Sequence, residues 1–347
     1  MLVYQNLVIY YFSGTGNAKN IAEWISGFAV NNGINAETID ISAIDRLAVK
    51  APSPDALLIF ISPIHGFNYP PVMLHFISHF PSGKNKIILM NTRAGMLIGK
   101  YITPGLTGVA FFLSALLLKL KGYTIKGMVP FDMPSNWISI HPGLNNKTVQ
   151  FIHRINKERA IFTAGKILSG DSYFKALREI IQDVIISPVS LLYYFIGRFG
   201  FAKTFYASSD CNNCNLCIKS CPVKAIIKVD HRLFWTFKCE SCMHCMSICP
   251  KRAIETAHGF LIGLIVLNSF FLTLFFKYWD LYFNKIDNGF IKFVLEQLIF
   301  LVLLTILHRI IHYGMRFKLI ERLIVYTSLT KYKFWGRRYR ALKDNQY

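Results

Sequence analysis

Apolar residues recur along this chain in three different rhythms. Over roughly the first 170 residues, short solid apolar runs alternate with stretches of helical periodicity. Leu7–Phe12 (LVIYYF) is unbroken, the pattern of a strand buried on both faces of a parallel sheet. Beyond it, Ile21, Ala22, Trp24, Ile25 and Phe28 return at helical spacing. Further strands are predicted over Ala36–Ile41, Ala56–Ile61, Lys86–Asn91 and Gly127–Phe131, with helices near Pro71–Phe80, Gly105–Lys121 and Thr148–Leu168. Strands alternating with helices in this way predict an α/β doubly wound domain, with ligand chemistry at the carboxyl ends of the strands.

The second rhythm lies between Gly170 and Asp210. Ile180, Ile181, Val184, Ile185, Ile186 and Leu191–Ile196 are apolar, Pro188 interrupts them, and Asp183 and Arg198 bracket the stretch. It reads as too short and too kinked to span a bilayer, so core packing between flanking domains is the expectation. The third rhythm is longer. Gly259–Phe276 has 18 residues without a charge, which meets the length of a membrane helix. Gly289–Leu307 is a second candidate, with Lys292 and Glu296 in its first turns and Lys292 able to snorkel. Lys277–Asn288 between them suits a helical hairpin. Arg309, Arg316, Lys318, Arg322, Lys331, Lys333, Arg337, Arg338, Arg340 and Lys343 follow, against only Glu321 and Asp344. The positive-inside rule then puts this tail in the cytoplasm and the small loop outside.

Composition agrees with membrane contact: 53% of the 347 residues are hydrophobic, and the mean hydropathy is +0.35. The formal charge is +20, which favours acidic partners or an anionic bilayer surface. No recognition motif accompanies that charge, so nucleic acid is excluded as a partner. Leu2–Phe12 lacks a basic leading segment and is not read as a secretion signal.

All eight cysteines fall into two copies of one pattern. Cys211, Cys214, Cys217 and Cys221 precede Pro222, and Cys239, Cys242, Cys245 and Cys249 precede Pro250. Each run is C-x2-C-x2-C-x3-C-P, the spacing that ligates cubane [4Fe–4S] clusters, the fourth cysteine serving the other cluster. One cluster is therefore assigned to Cys211, Cys214, Cys217 and Cys249, and the second to Cys239, Cys242, Cys245 and Cys221. Disulfides would not gather every cysteine into 39 residues, and zinc needs no repeated trailing Cys-Pro. The C-x3-C-x2-C run of radical chemistry is absent. Two oxidised cubanes, at roughly −2 each with their thiolates, leave a net charge of about +16. Thiolate clusters fit a reducing interior, so the cytoplasmic side is expected for the redox domains.

The first strand runs into Ser13-Gly14-Thr15-Gly16-Asn17 and then a helix, an order that aims backbone N–H groups and a helix N-terminus at a phosphate. No G-x4-G-K-[ST] exists, and Lys19 stands where a dinucleotide fingerprint needs its third glycine. The loop, rich in Ser and Thr around T-G-N, resembles that of flavodoxins. Two more loops follow the third and fourth strands: Ser62-Pro63-Ile64-His65-Gly66-Phe67-Asn68-Tyr69-Pro70 and Asn91-Thr92-Arg93-Ala94-Gly95-Met96. The resemblance implies FMN, with its phosphate on Ser13, Gly14, Thr15, Gly16 and Asn17. The same resemblance implies a flavin ring between His65, Gly66, Phe67, Asn68 and Thr92, Arg93, Ala94, Gly95, with Phe67 or Tyr69 stacking on it. Ala18 stands where the flavodoxin loop has a hydroxyl.

Residues 1–257 as a whole, together with Met133-Pro134-Ser135-Asn136-Trp137, resemble the EFR family of flavodoxin–ferredoxin fusions. Four parts are expected: a flavodoxin-like FMN domain (1–170), a connector (171–207), a small α+β dicluster ferredoxin domain (208–257), and an α-helical membrane hairpin with a basic tail (258–347). The resemblance implies an electron carrier between FMN and two [4Fe–4S] clusters, its donor and acceptor unknown. Two other readings stand beside it. One is a reductase of a small molecule or quinone, with His65 as an acid group in reach. The other is a redox sensor or assembly module docked through the basic tail.

Overall fold

The computed structural model describes residues 2–282 and 285–336. Strands β1 (Asn6–Tyr11), β2 (Asn35–Asp40), β3 (Leu57–Pro63), β4 (Lys86–Ile98), β5 (Tyr101–Thr103) and β6 (Thr124–Pro134) form one sheet. Five of them run parallel in the order β2-β1-β3-β4-β6, the doubly wound order of a flavodoxin-like domain. β5 adds an antiparallel turn-back on the end of β4. Helices α1 (Asn17–Asn31) and α4 (Asn146–Leu168) cover one face, and α2 (Pro71–His79) and α3 (Ala110–Leu120) the other. The sheet needs both covers because Ile9 and Tyr10, adjacent in β1, point to opposite apolar cores. On the α2/α3 side Tyr10, Phe60, Phe76 and Phe80 pack as a ring cluster with centroids 5.1–6.0 Å apart.

One predicted loop is a strand. Asn91–Met96 continues β4, paired with β6 as far as Gly95–Pro134, its one charged residue, Arg93, being buried against Asp132 and Glu179.

The connector also departs from expectation. Lys175–Ala202 is a single run of helix, long and apolar enough to cross a membrane, with only 11% of its most apolar window buried. Pro188 sits inside it without breaking it, and a π-helical turn over Tyr193–Gly197 absorbs the irregularity further on. Only its second half packs between the two domains, where Tyr193 lies on Gly66 and lines a cavity with Ser241 and Cys242, and Phe199 meets Phe237. Asp183 Oδ1 accepts from the Thr107 and Gly108 N–H groups, and Ser190 Oγ donates to the Phe67 carbonyl. Ile181, Val184, Ile185 and Phe195 on the other side are exposed.

The cysteine-rich part is built on two antiparallel pairs: β7 (Phe205–Ala207) with β10 (Ile254–Thr256), and β8 (Ile226–Val229) with β9 (Arg232–Trp235). Trp235, fully buried, centres its core, which Ile138 from the first domain joins. Two long apolar helices follow, His258–Tyr282 and Gly289–Gly314, both long and apolar enough to cross a membrane. The chain then turns back through a short helix, Lys318–Tyr326, and clamps onto the cysteine-rich domain. Tyr206 Oη meets Ser328 Oγ at 2.7 Å, Thr256 N donates to Thr330 Oγ1, and Trp335 Nε1 donates to the Ile138 carbonyl. Arg337, Arg338, Arg340 and Lys343 of the basic tail lie outside the described residues.

Candidate functional site

At the carboxyl ends of β1, β3, β4 and β6 lies a cavity of about 80 Å³. Of the residues singled out in the sequence, Ser13, Gly14, Thr15, Asn17, His65, Thr92, Arg93 and Ala94 line it. Gly16, Gly66, Phe67, Asn68 and Gly95 do not. Gly95 is pressed against the Asp132 backbone, and Asn68 is buried with its side-chain Oδ1 accepting from Tyr69 N–H. Tyr69 is core, its hydroxyl donating to the Met90 carbonyl, so it is no stacking partner. The Arg93 guanidinium is spent elsewhere. Its Nε donates to Asp132 Oδ1 at 2.7 Å, and its other nitrogens meet Glu179 of the connector helix.

The cavity's aromatic residues come from places the loop pattern does not mark. Trp137, in the segment after β6, and Tyr193, in the π-helical turn of the connector, cross at right angles with centroids 5.9 Å apart. Tyr193 lies directly on Gly66, which has φ 54° and where an added Cβ would fall about 2.0 Å from the ring. Asn136 Nδ2 donates to Thr15 Oγ1, tying the same segment to the first loop.

Among the described residues, His65 Nδ1 and Trp137 Nε1 of the lining are buried without a partner. Burial pushes the His65 imidazole down to about 4, so it is neutral at ordinary pH. No carboxylate lines the cavity, and α1 has no acidic residue in its first turn. These features suit an anion at the helix N-terminus with polar groups beyond it. The space holds roughly five water-sized spheres, less than the ~300 Å³ of an ordinary small-molecule pocket. It therefore has room for a phosphate-sized anion and not for a fused aromatic ring system as it stands.

The two cysteine runs fold as duplicates. Asn213 and Asn215 in the first, and Ser241 and Met243 in the second, take left-handed φ of 50–59° at matching positions. Lys224 and Arg252 repeat the match at φ 51° and 49°. Alternating left-handed residues turn successive N–H groups toward one centre. Sulfur acceptors are present: Ala225 N–H donates to Cys221 Sγ at 3.2 Å, and Ser241 and Ala253 N–H donate to Cys239 and Cys249 Sγ at 3.4 Å. Cys211, Cys214, Cys217 and Cys249 line one small cavity. Cys239, Cys242 and Cys221 are mutual electrostatic neighbours, and Cys245 adjoins Cys239 and Cys242. All eight are free thiols. Among the described residues no three His, Cys, Asp or Glu converge on a single ion. The four cysteines around that small cavity suit a cluster, which is wider than an ion. Burial, with neighbouring thiolates, raises Cys217 to about 11 and Cys239 to about 12, so only a cationic guest would hold them ionised.

The two sites touch. Ser241 and Cys242 are part of the first cavity's wall. An added Cβ on Gly14 would lie 2.7 Å from both the Cβ and the carbonyl oxygen of Cys242, so this approach admits only glycine. His244 Nδ1 meets the Gly14 carbonyl beside it.

Residues 210–254 match the family model of the 4Fe-4S dicluster domain. No curated protein matches the sequence. Oxidised flavodoxin 1 from Bacillus cereus is similar over 46% of this chain and 97% of its own, at 15% identity and a TM-score of 0.31. A flavodoxin from the domain Archaea is similar over 45% and 96%, at 15% identity and a TM-score of 0.27. The rubredoxin oxygen:oxidoreductase of Desulfovibrio gigas is similar over 46% of this chain and 37% of its own, at 13% identity and a TM-score of 0.30. The sheet order itself carries the assignment of the first domain. The chain joins a flavodoxin-like domain to a dicluster ferredoxin domain and apolar helices, the make-up of an electron-transfer protein.

Proposed function

We propose that this chain is a membrane-anchored iron–sulfur flavoprotein of the EFR type that carries electrons between FMN and two [4Fe–4S] clusters. The observation that carries the reading is the contact of Gly14 with Cys242, which sets a phosphate loop directly against a cluster-ligand loop. FMN, when bound, supplies one- or two-electron chemistry and each cubane one electron. This chain's own residues do the rest. The Ser13–Asn17 loop and the α1 N-terminus hold the phosphate, and His65 Nδ1 and Trp137 Nε1 offer hydrogen bonds to the remainder. Trp137 and Tyr193 close the chamber against water. Cys211, Cys214, Cys217 and Cys249 hold one cluster, and Cys239, Cys242, Cys245 and Cys221 the other.

A reductase using His65 as proton donor is disfavoured, since a group near 4 is already deprotonated at neutral pH. The excess of basic residues supports acidic redox partners and, through the positive-inside rule, redox domains at the cytoplasmic face of a membrane that the hairpin crosses.

The deciding experiment is anaerobic purification with iron and flavin analysis and an absorption spectrum. About eight irons, from two cubanes, and one FMN per chain are expected. Protein that holds clusters but neither contains nor takes up FMN overturns the flavin half. A reporter fused after Tyr347 should read cytoplasmic, and an external reading overturns the orientation.

A further inference from the structure

The connector helix is an amphipath turned inside out. Ala176, Asp183 and Ser190, seven residues apart, face the protein and are buried. Leu177, Ile181, Val184, Ile185, Leu192 and Phe195 form the opposite stripe and are exposed, Ile181 and Ile185 to 75% and 73%. A helix on a water-facing surface does the reverse, burying its apolar stripe and exposing its charges. A contiguous apolar face of this kind marks a surface that meets something apolar.

The helix is long enough to cross a bilayer, yet its contacts forbid crossing. Glu179 pairs with Arg93, Asp183 with the Thr107 and Gly108 N–H groups, Ser190 with the Phe67 carbonyl, and Tyr193 rests on Gly66. These four contacts fix residues 179–193 along the flavodoxin-like domain, and Phe199 then meets Phe237 of the cysteine-rich domain with centroids 5.7 Å apart, so the helix lies along the globular body. The chain then enters the cysteine-rich domain, which touches the same flavodoxin-like domain through Gly14 and Cys242. Both ends are therefore on one side of any membrane.

We infer that the exposed stripe of Lys175–Ala202 lies in one leaflet of the bilayer that the hairpin enters. The inference rests on the membrane reading of the hairpin. Continuity with that hairpin names the occupant. Gly200, near the end of the connector, packs beside Leu304 of Gly289–Gly314, and Leu304 is fully buried there. Val302, Ile306 and Ile310 on the free side of the same helix stay exposed past this point. The redox body is thus held against the membrane surface along the connector, rather than hanging from the hairpin alone.

The test uses the full-length, cluster-loaded protein in vesicles of phosphatidylcholine and phosphatidylglycerol carrying a photoactivatable group on the acyl chain. Adducts are mapped by mass spectrometry. The inference expects labelling on peptides from 177–195 as well as on those from 260–310. It also expects loss of the 177–195 signal to background in I181E/I185E/F195E, whose iron content and hairpin labelling stay unchanged. Labelling of 260–310 with none on 177–195 overturns it while leaving the hairpin in the membrane. No labelling on either segment overturns the membrane reading itself. Chain-to-chain crosslinks through 177–195, with no lipid adducts there, assign the stripe to a second copy and overturn it.

Discussion

Replacing Gly14 by alanine puts a methyl group 2.7 Å from the Cβ and the carbonyl oxygen of Cys242. One of those atoms is backbone, so no side-chain rotation relieves the clash. Overpacking of this kind costs about 1–3 kcal/mol. If the cost falls on the docking of the two loops, the docked fraction drops roughly five- to hundredfold relative to the undocked one. Gly14 and Cys242 separate, while the sheet and the first cysteine set, remote from the clash, keep their packing. The assay is photoreduction of the flavin in anaerobic protein, followed by the appearance of reduced-cluster EPR signals. G14A should load both clusters and FMN, yet pass electrons between them more slowly than wild type, with the loss concentrated at the cluster held by Cys242. A variant that matches wild type in both electron passage and melting temperature would show that the two loops do not meet as described, and the proposed route would fail with it.

Three further outcomes are expected. Cys221→Ala should remove the cluster held by Cys239, Cys242 and Cys245 and spare the other, with Cys249→Ala doing the converse; EPR and iron counts after each substitution decide, and loss confined to a variant's own run refutes the crossing. His65 is depressed to about 4 by burial, below its unfolded value near 6.5. The unfolded chain thus binds the extra proton first, so stability is full above pH 6.5 and declines as pH falls toward 4, and His65→Gln should flatten that part of a melting-temperature profile. Asp183→Ala strands the buried Thr107 and Gly108 N–H donors at about 1–3 kcal/mol each, so it should lower the thermal midpoint, and an unchanged midpoint would mean that Asp183 does not anchor the connector.

How much was legible beforehand depends on what each signal encodes. The unbroken run Leu7–Phe12 and its successors specify buried strands because a parallel sheet leaves no polar face, and the strand centres follow from that alone. The cysteine spacing is local chemistry, and the structure brings Cys249 to the first three and Cys221 beside the second run. The length of the connector helix was misread for a definite reason. Pro188 signals a break, but one proline in a helix anchored by Asp183 and Ser190 is tolerated, and hydropathy does not tell which side of a helix is wet. The seven-residue spacing of Ala176, Asp183 and Ser190 was the usable clue. Trp137 belongs to the Met133–Trp137 segment that the sequence marked without giving it a place in the cavity, whereas Tyr193 arrives from the connector and could not be placed from loops after strands. Arg93 looked like a ligand residue, and its two carboxylate partners, 39 and 86 positions away, became visible only in space.

The returning clamp has a consequence in time. Tyr206, Thr256 and Ile138 obtain their partners Ser328, Thr330 and Trp335 only after both long apolar helices have been made. At about 5–20 residues per second, the interval between residues 257 and 330 is on the order of 4–15 s. During that interval both cysteine runs have been synthesised, but the strand pair β7–β10 still lacks its outer hydrogen bonds. Completion of the cysteine-rich domain is thereby tied to delivery of the hairpin. A chain that stalls before its hairpin is placed is left with an open, unfinished cluster domain.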